Sequence, residues 1–332
     1  MFQRILVPLD GSARAQRALP VAARLARTSG GSIILVQALS IDIDLYLVPQ
    51  PTLIERVINV ELAEAERYLI TIASSPPLAG VPTETVALFG SAASSLLSVV
   101  HSSKADLIVL CSHGRTGMTR WALGSVAEKV ARQSPVPVFV LREGGPVPAG
   151  PYPDATRPLR VLVPLDSASA KAALEPAAYL IAALAAPAPG LLHMMRVVQP
   201  PATASWEKGQ ILSKAKMYLR SIKDQLREGL EAPAVAKLKL PVTWSVALDM
   251  DVASAIIRVA ENGEDAEGAG IFGSCDVIAM ATHGRGGLQH WAMGSITERV
   301  LHGTRLPLLL VRPPNGMDKS HLTQQEPTAA AI

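Results

Sequence analysis

Residues 105–141, ADLIVLCSHGRTGMTRWALGSVAEKVARQSPVPVFVL, and residues 275–311, CDVIAMATHGRGGLQHWAMGSITERVLHGTRLPLLLV, decide the fold. Aligned at an offset of 170, they share Asp106/Asp276, His113/His283, Gly114/Gly284, Arg115/Arg285, Gly117/Gly287, Trp121/Trp291, Gly124/Gly294, Ser125/Ser295, Glu128/Glu298, Val130/Val300 and Pro137/Pro307. The chain is therefore a tandem repeat, and what this segment does is done in both halves. Each copy opens with an apolar run, Leu107 to Leu110 or Val277 to Met280, suited to a buried parallel strand. A glycine-bearing loop follows, and then Ser125-Val-Ala-Glu128 or Ser295-Ile-Thr-Glu298, the spacing of a helix-capping box.

Strand, glycine loop and helix start form an anion-binding arrangement. Glycines let backbone N–H groups come close to a ligand, and the free N–H groups and dipole of a helix N-terminus favour phosphate. The Ser125 and Ser295 hydroxyls either cap their helices or donate to a phosphate oxygen. Tight turns alone would also use such glycines, but three of them in register in both halves point to a ligand loop.

On these residues the chain resembles a tandem universal stress protein with two domains of that family. The family signature is G-x-x-G, nine residues, then G-[ST]; here it reads Cys111-Ser-His-Gly114, nine residues, Gly124-Ser125, and Ala281-Thr-His-Gly284, nine residues, Gly294-Ser295. Both copies depart from it at the first glycine, where Cys111 and Ala281 bring a Cβ to the place of closest approach to nucleotide.

Length and composition agree with two domains. A chain of 332 residues exceeds one typical core. The first 145 residues carry 13 basic and 11 acidic side chains and the remainder 18 and 17. Neither part is a polycation, so charge calls for neither nucleic acid nor an anionic membrane. The start MFQRILVPLDGS enters strand and turn directly, without a leader pattern, and the most apolar stretch, 176–195, is cut by Pro187, Pro189 and Gly190. Two cysteines, one per half, give no metal spacing, and a cytoplasmic protein is expected.

The alternation of strands and helices predicts α/β architecture with parallel, doubly wound (Rossmann-like) five-stranded sheets in tandem. Strands are expected over 4–9, 32–39, 83–89, 106–111 and 137–141, with a first helix over 13–27 whose Arg14, Arg17, Arg24 and Arg27 read as a solvated face. The second half repeats the order and adds a glycine-rich loop over 263–274. The expected division is 1–143, a linker over 144–157 rich in proline and glycine, 158–313, and a disordered tail over 314–332.

The resemblance implies strand order 3-2-1-4-5, which makes the first and fourth strands neighbours at the crevice where such sheets bind ligands. It sets Asp10 and Asp166 opposite the phosphate loops, as acceptors for a ribose hydroxyl or the adenine amine; the plainer reading is that Asp10 caps the first helix with Ser12. It places Ala38 and Val197 at the backbone contact to adenine. The implied nucleotide-binding set is Asp10, Ser12, Ala38, His113, Gly114, Arg115, Gly117, Gly124, Ser125 and Val126, with Asp166, Val197, His283, Gly284, Arg285, Gly287, Gly294, Ser295 and Ile296 in the second copy. The implied ligand is ATP, ADP or AMP, with Mg2+ as a companion of the phosphates although no paired carboxylate set for it is evident. His113 and His283 read as residues that shape the loop or touch phosphate rather than as catalytic groups, and Trp121 and Trp291 as packing residues. The function expected is a stress-response regulatory module without sustained catalysis, acting on an unknown protein partner. Slow ATP hydrolysis or autophosphorylation at Ser125 or Ser295, and a scaffold without nucleotide, are the alternatives. The family's pairing through its fifth strand implies that residues 138–141 and 308–311 pair within one chain as an intramolecular pseudo-dimer, with homodimer formation left open.

Overall fold

The computed structural model describes residues 1–40, 51–112, 123–148, 157–200, 205–263, 267–269, 273–282 and 293–314. The first half runs β1 (Arg4–Pro8), α1 (Ala13–Gln16), α2 (Ala18–Ser29), β2 (Ser32–Leu39), α3 (Pro51–Ala73), β3 (Thr83–Phe89), α4 (Ala92–Ser102), β4 (Leu107–Cys111), α5 (Ser125–Gln133) and β5 (Val138–Leu141). The second runs β6 (Arg160–Pro164), a 3-10 turn (Ser169–Ala173), α6 (Leu174–Ala185), β7 (Leu191–Val198), α7 (Ser205–Glu228), α8 (Ala234–Lys237) and β8 (Val242–Leu248). It continues with α9 (Val252–Asn262), β9 (Glu267–Ala269), β10 (Val277–Ala281), α10 (Ser295–Gly303) and β11 (Leu308–Val311).

Each half has the expected order 3-2-1-4-5 in parallel pairing, and the two blocks join into one 11-stranded sheet, β3-β2-β1-β4-β5-β11-β10-β6-β7-β8-β9. The junction is antiparallel: Leu308 pairs with Val140, Leu309 with Phe139 and Leu310 with Val138. Strands β4, β5, β10 and β11 are buried almost throughout, which explains their unbroken apolar sequences. One face of the sheet is covered by α2, α3, α6, α7 and α8, the other by α4, α5, α9 and α10, and each apolar core runs continuously across the junction. Phe139 and Leu309 lie in the first core, Val138, Val140, Leu308 and Leu310 in the second.

The repeated aspartates at the start of β4 and β10 are fasteners. Asp106 accepts from the backbone N–H groups of Gln3 (2.9 Å) and Arg4 (3.0 Å), and Asp276 from that of Arg160 (2.8 Å). Each fixes the central strand of its half against the neighbour that carries the signature loop.

The structure corrects the reading of the first helix, of its arginines and of the 263–274 insertion. The helix expected over 13–27 breaks at Arg17 into α1 and α2. Arg14 and Arg27 are exposed as expected, but all four arginines also make tertiary ties: Arg24, half-buried, donates to the Leu184 (2.7 Å) and Ala186 (2.6 Å) carbonyls at the C-terminal end of α6, where a cation suits the helix dipole. Arg17 donates to the Gly145 carbonyl (3.1 Å), Arg14 pairs with Glu143 (2.9 Å), and Arg27 reaches the Pro77 and Ala79 carbonyls. Finally, the 263–274 insertion is not loop throughout, because β9 pairs antiparallel with β8. The tail beyond residue 314 and most of the linker lie outside the described residues.

A polar cluster in the second half generates a pH prediction. His193, fully buried in β7, holds Thr243 Oγ1 through Nδ1 and Ser245 Oγ through Nε2, both at 2.8 Å. Burial, with the Arg160 charge adding to it, pushes its pKa down from 6.5 to about 4. The folded state thus binds the proton less readily than the unfolded chain, and its stability is full above pH 6.5 and falls as pH drops toward 4. The loss should approach about 3 kcal/mol by pH 4, at 1.36 kcal/mol per unit. Chemical denaturation from pH 7.5 to 4.5 should show this slope, flattened in His193→Gln.

Candidate functional site

The C-terminal ends of β1, β2 and β4 and the first turn of α5 enclose a cavity of about 340 Å3, within the range of small-molecule sites. Its lining includes Asp10, Ala15, Gln37, Ala38, Glu61, Cys111, Ser112, Gly124, Ser125, Val126 and Ala127. It sits where ligands bind to doubly wound sheets, beyond the carboxyl ends of the strands.

Backbone hydrogen bonds fix this geometry. The N–H of Leu9 donates to Val36 O (2.8 Å), drawing the end of β1 against β2, and Ser112 N–H donates to Leu141 O (2.8 Å). Gly124 N–H donates to Ser112 O at 2.7 Å, so the excursion between them is closed at its neck and α5 starts beside the end of β4. The second half repeats the closure, Thr282 N–H to Val311 O and Gly294 N–H to Thr282 O, both 2.8 Å.

Gly124 and Gly294 are the N-cap residues of α5 and α10. That overturns the capping box: Ser125 and Ser295 stand at the first helical position, and neither helix has a side-chain cap. The Gly124 N–H is already committed to Ser112, which leaves the N–H groups of Ser125, Val126 and Ala127 as first-turn donors that the helix itself cannot satisfy. The described lining residues include no lysine or arginine, and the N-terminus of α5 contributes positive potential of its own.

Opposite lies Asp10. Its Oδ1 accepts from the backbone N–H (3.0 Å) and hydroxyl (2.6 Å) of Ser12, whose Oγ in turn accepts from Ala15 N–H at 3.2 Å and caps α1. The cap belongs to Ser12, and Asp10 orients it while lining the cavity. The turn between them uses Gly11 at φ 85, a conformation that side-chain-bearing residues avoid. In the second half, Ser167 donates to Asp166 Oδ1 at 2.9 Å.

The structure thus brings Asp10, Ala38, Gly124, Ser125 and Val126 around one cavity, with Ser12 behind Asp10. In the second half Val197 holds the β7 position matching Ala38, and Gly294, Ser295 and Ile296 begin α10. His113, Gly114, Arg115, Gly117, His283, Gly284, Arg285 and Gly287 lie outside the described residues, as do Trp121 and Trp291. Sequence reasoning missed Gln37, Glu61, Ser112 and Ala127. Ala127 follows from counting first-turn amides once the helix start is known. Gln37 is a polar residue near the end of an apolar strand, a signal that was available.

Cys111, at the first signature position, borders the cavity, and burial pushes its thiol up to about 12. Its Sγ lies 3.9 Å from the Ala15 carbonyl. It therefore fills space as a neutral thiol. Among the described residues, the one cluster with metal-ligand spacing is Glu128, Glu298 and His302, away from this cavity, and its two carboxylates already accept from Arg132 at 2.9 and 2.7 Å.

The profile of the universal stress protein family matches residues 1–142 and 159–312. The chain belongs to the universal stress protein family. A universal stress protein of Thermus aquaticus is 34% identical over 143 residues, 43% of this chain and all of that relative. One from Mycobacterium tuberculosis is 25% identical over 215 residues, 64% of this chain and 63% of the relative. Among solved structures, a universal stress protein from Archaeoglobus fulgidus superposes with a TM-score of 0.61 at 19% identity, covering 94% of this chain and 99% of that one, and shares the fold. No helix among the described residues of this family member is long and apolar enough to cross a membrane.

The thiol chemistry is directly testable. With a pKa near 12 in place of 9.0, the thiolate fraction of Cys111 at pH 8 is lower by about a thousandfold. Burial likewise pushes Cys275 to about 12. Iodoacetamide should therefore label the native chain at pH 8 hundreds of times more slowly than the chain in denaturant, followed by mass spectrometry.

Proposed function

We propose that this universal stress protein binds an adenine nucleotide, ATP or its products ADP and AMP, and uses it as a regulatory signal without sustained catalysis. The observation that carries the reading is the single cavity into which a carboxylate, the end of β2 and the bare first turn of α5 converge. The ring-bearing part of the ligand would lie toward Ala38 and Gln37, its ribose hydroxyls within reach of Asp10, and its phosphates against the N–H groups of Ser125, Val126 and Ala127 and the Ser125 hydroxyl. The residues fit such a guest: Gln37 Oε1 is sealed from solvent and accepts no hydrogen bond, and the soft terminal torsion of its side chain can turn that oxygen to a ligand N–H. Mg2+ would enter with the phosphates, neutralising their charge. The second half carries the same elements, Asp166, Val197, Gly294, Ser295 and Ile296.

Helix α5 supplies a route from ligand to the rest of the molecule. Its first turn faces the cavity, while Arg132 in its last turn reaches across the junction to Glu298 at 2.7 Å. A phosphate seated on the first turn would steady the whole short helix, and so the contact between halves that a protein partner reads.

ATP at about a hundred times its dissociation constant should stabilise the chain by close to 2.7 kcal/mol, seen as a rise in melting temperature. Asp10→Ala should abolish most of this rise while leaving the ligand-free melting temperature within a few degrees. An unchanged melting temperature with ATP, ADP and AMP would sink the reading and favour a scaffold without nucleotide.

A further inference from the structure

The two crevices share their framework and differ at several lining positions, one of which changes the chemistry of the second strand of each half. Val36 pairs with Pro8 and accepts from Leu9 N–H; Met195 pairs with Pro164 and accepts from Leu165 N–H. Gln37 and Arg196, the next residue in each strand, therefore occupy the same place, on the face covered by α3 in one half and α7 in the other. Gln37 is 8% exposed and borders the cavity with an amide. Arg196 lies with its guanidinium carbon 4.5 Å from the centre of the Tyr218 ring, a cation–π contact.

The surroundings have changed with it. Tyr68 and Tyr218 are counterparts, each followed by a fully buried leucine, Leu69 or Leu219. Tyr68 accepts from Gln16 Nε2 at 3.2 Å, which ties α3 to α1. In the second half Ala172 stands where Gln16 does and has no side-chain donor, and the Tyr218 ring is covered by Arg196 instead. The turn after the first strand differs as well: Gly11 at φ 85 in the first half is Ser167 in the second, which is not among the positive-φ residues.

We propose that this strand position decides which half accepts an adenine base: Gln37 admits it, Arg196 excludes it, and the chain binds one adenine nucleotide, in its first half. The proposal rests on the adenine-nucleotide reading above and specifies its stoichiometry. A glutamine amide supplies an acceptor for the exocyclic amine of adenine and a donor for a ring nitrogen. A guanidinium supplies donors alone, so it meets that amine donor to donor, and it is longer than the amide it replaces. Its longer side chain, with the guanidinium held on Tyr218, would crowd the base end, while α10 keeps the same glycine N-cap as α5.

Isothermal titration of the full chain with ATP and Mg2+ tests this. One equivalent should bind, lost in Asp10→Ala and kept in Asp166→Ala. Arg196→Gln should raise the count to two. Gln37→Arg should remove binding, and the neutral, similarly shaped Gln37→Met, which guards against misfolding of the charged variant, should weaken it about tenfold for one lost hydrogen bond. Two equivalents in the unaltered chain overturn the proposal. So does one equivalent that responds to Asp166→Ala rather than Asp10→Ala, or a normally melting Arg196→Gln chain that still binds only one. Absence of binding by ATP, ADP and AMP alike is a different result, and it fells the nucleotide reading on which the proposal stands.

Discussion

The antiparallel pairing of β5 with β11 is the constraint on which the rest of this structure depends. Each half would otherwise end in an exposed, almost wholly apolar strand, VFVL or LLLV, with a row of unpaired backbone groups. Pairing the two satisfies both rows and makes each hydrophobic core continuous through the molecule. Long-range arginine ties then hold the covering helices in place on both faces: Arg24 to the end of α6 on one, Arg132 to Glu298 on the other.

The same seam governs the crevice. Cys111 pairs with Leu141, and Ser112, one residue on, is bonded through its N–H to Leu141, through its carbonyl to Gly124 and through its hydroxyl to Glu143 N–H. The end of the seam strand, the neck of the signature loop and the start of α5 are thus one hydrogen-bonded unit. Arg14 and Arg17 bring α1 and its junction with α2 onto the residues after β5, Glu143 and Gly145. The β4 end that borders the cavity is accordingly bonded directly to the strand that joins the halves.

Much of this was legible in the chain itself. A repeated run of apolar residues, glycines and Ser-x-x-Glu fixed the strand, loop and helix order, because local periodicity and turn chemistry are short-range properties. Strands such as 32–39 and 191–198 were bounded to the residue for the same reason. What could not be seen were the partners of long side chains. Arg24 reads as a surface residue because nothing local reveals that the end of α6 will lie against it. Ser125 looked like a cap because a capping box and a glycine N-cap differ by one residue in where the helix begins. The equivalence of Gln37 and Arg196 likewise depends on strand register, a long-range property.

Antiparallel joining also gives the molecule poles. Because the strands of one half run opposite to those of the other, their carboxyl ends emerge at opposite rims of the sheet, and the two crevices face away from each other. Five-residue strands at about 3.3 Å per residue set those rims at least ~16 Å apart, beyond a physiological Debye length of about 8 Å. Charge arriving at one rim is hardly felt at the other except through the interior. A body built on near twofold symmetry consequently has two distinguishable ends, one presenting Gln37 and the other Arg196.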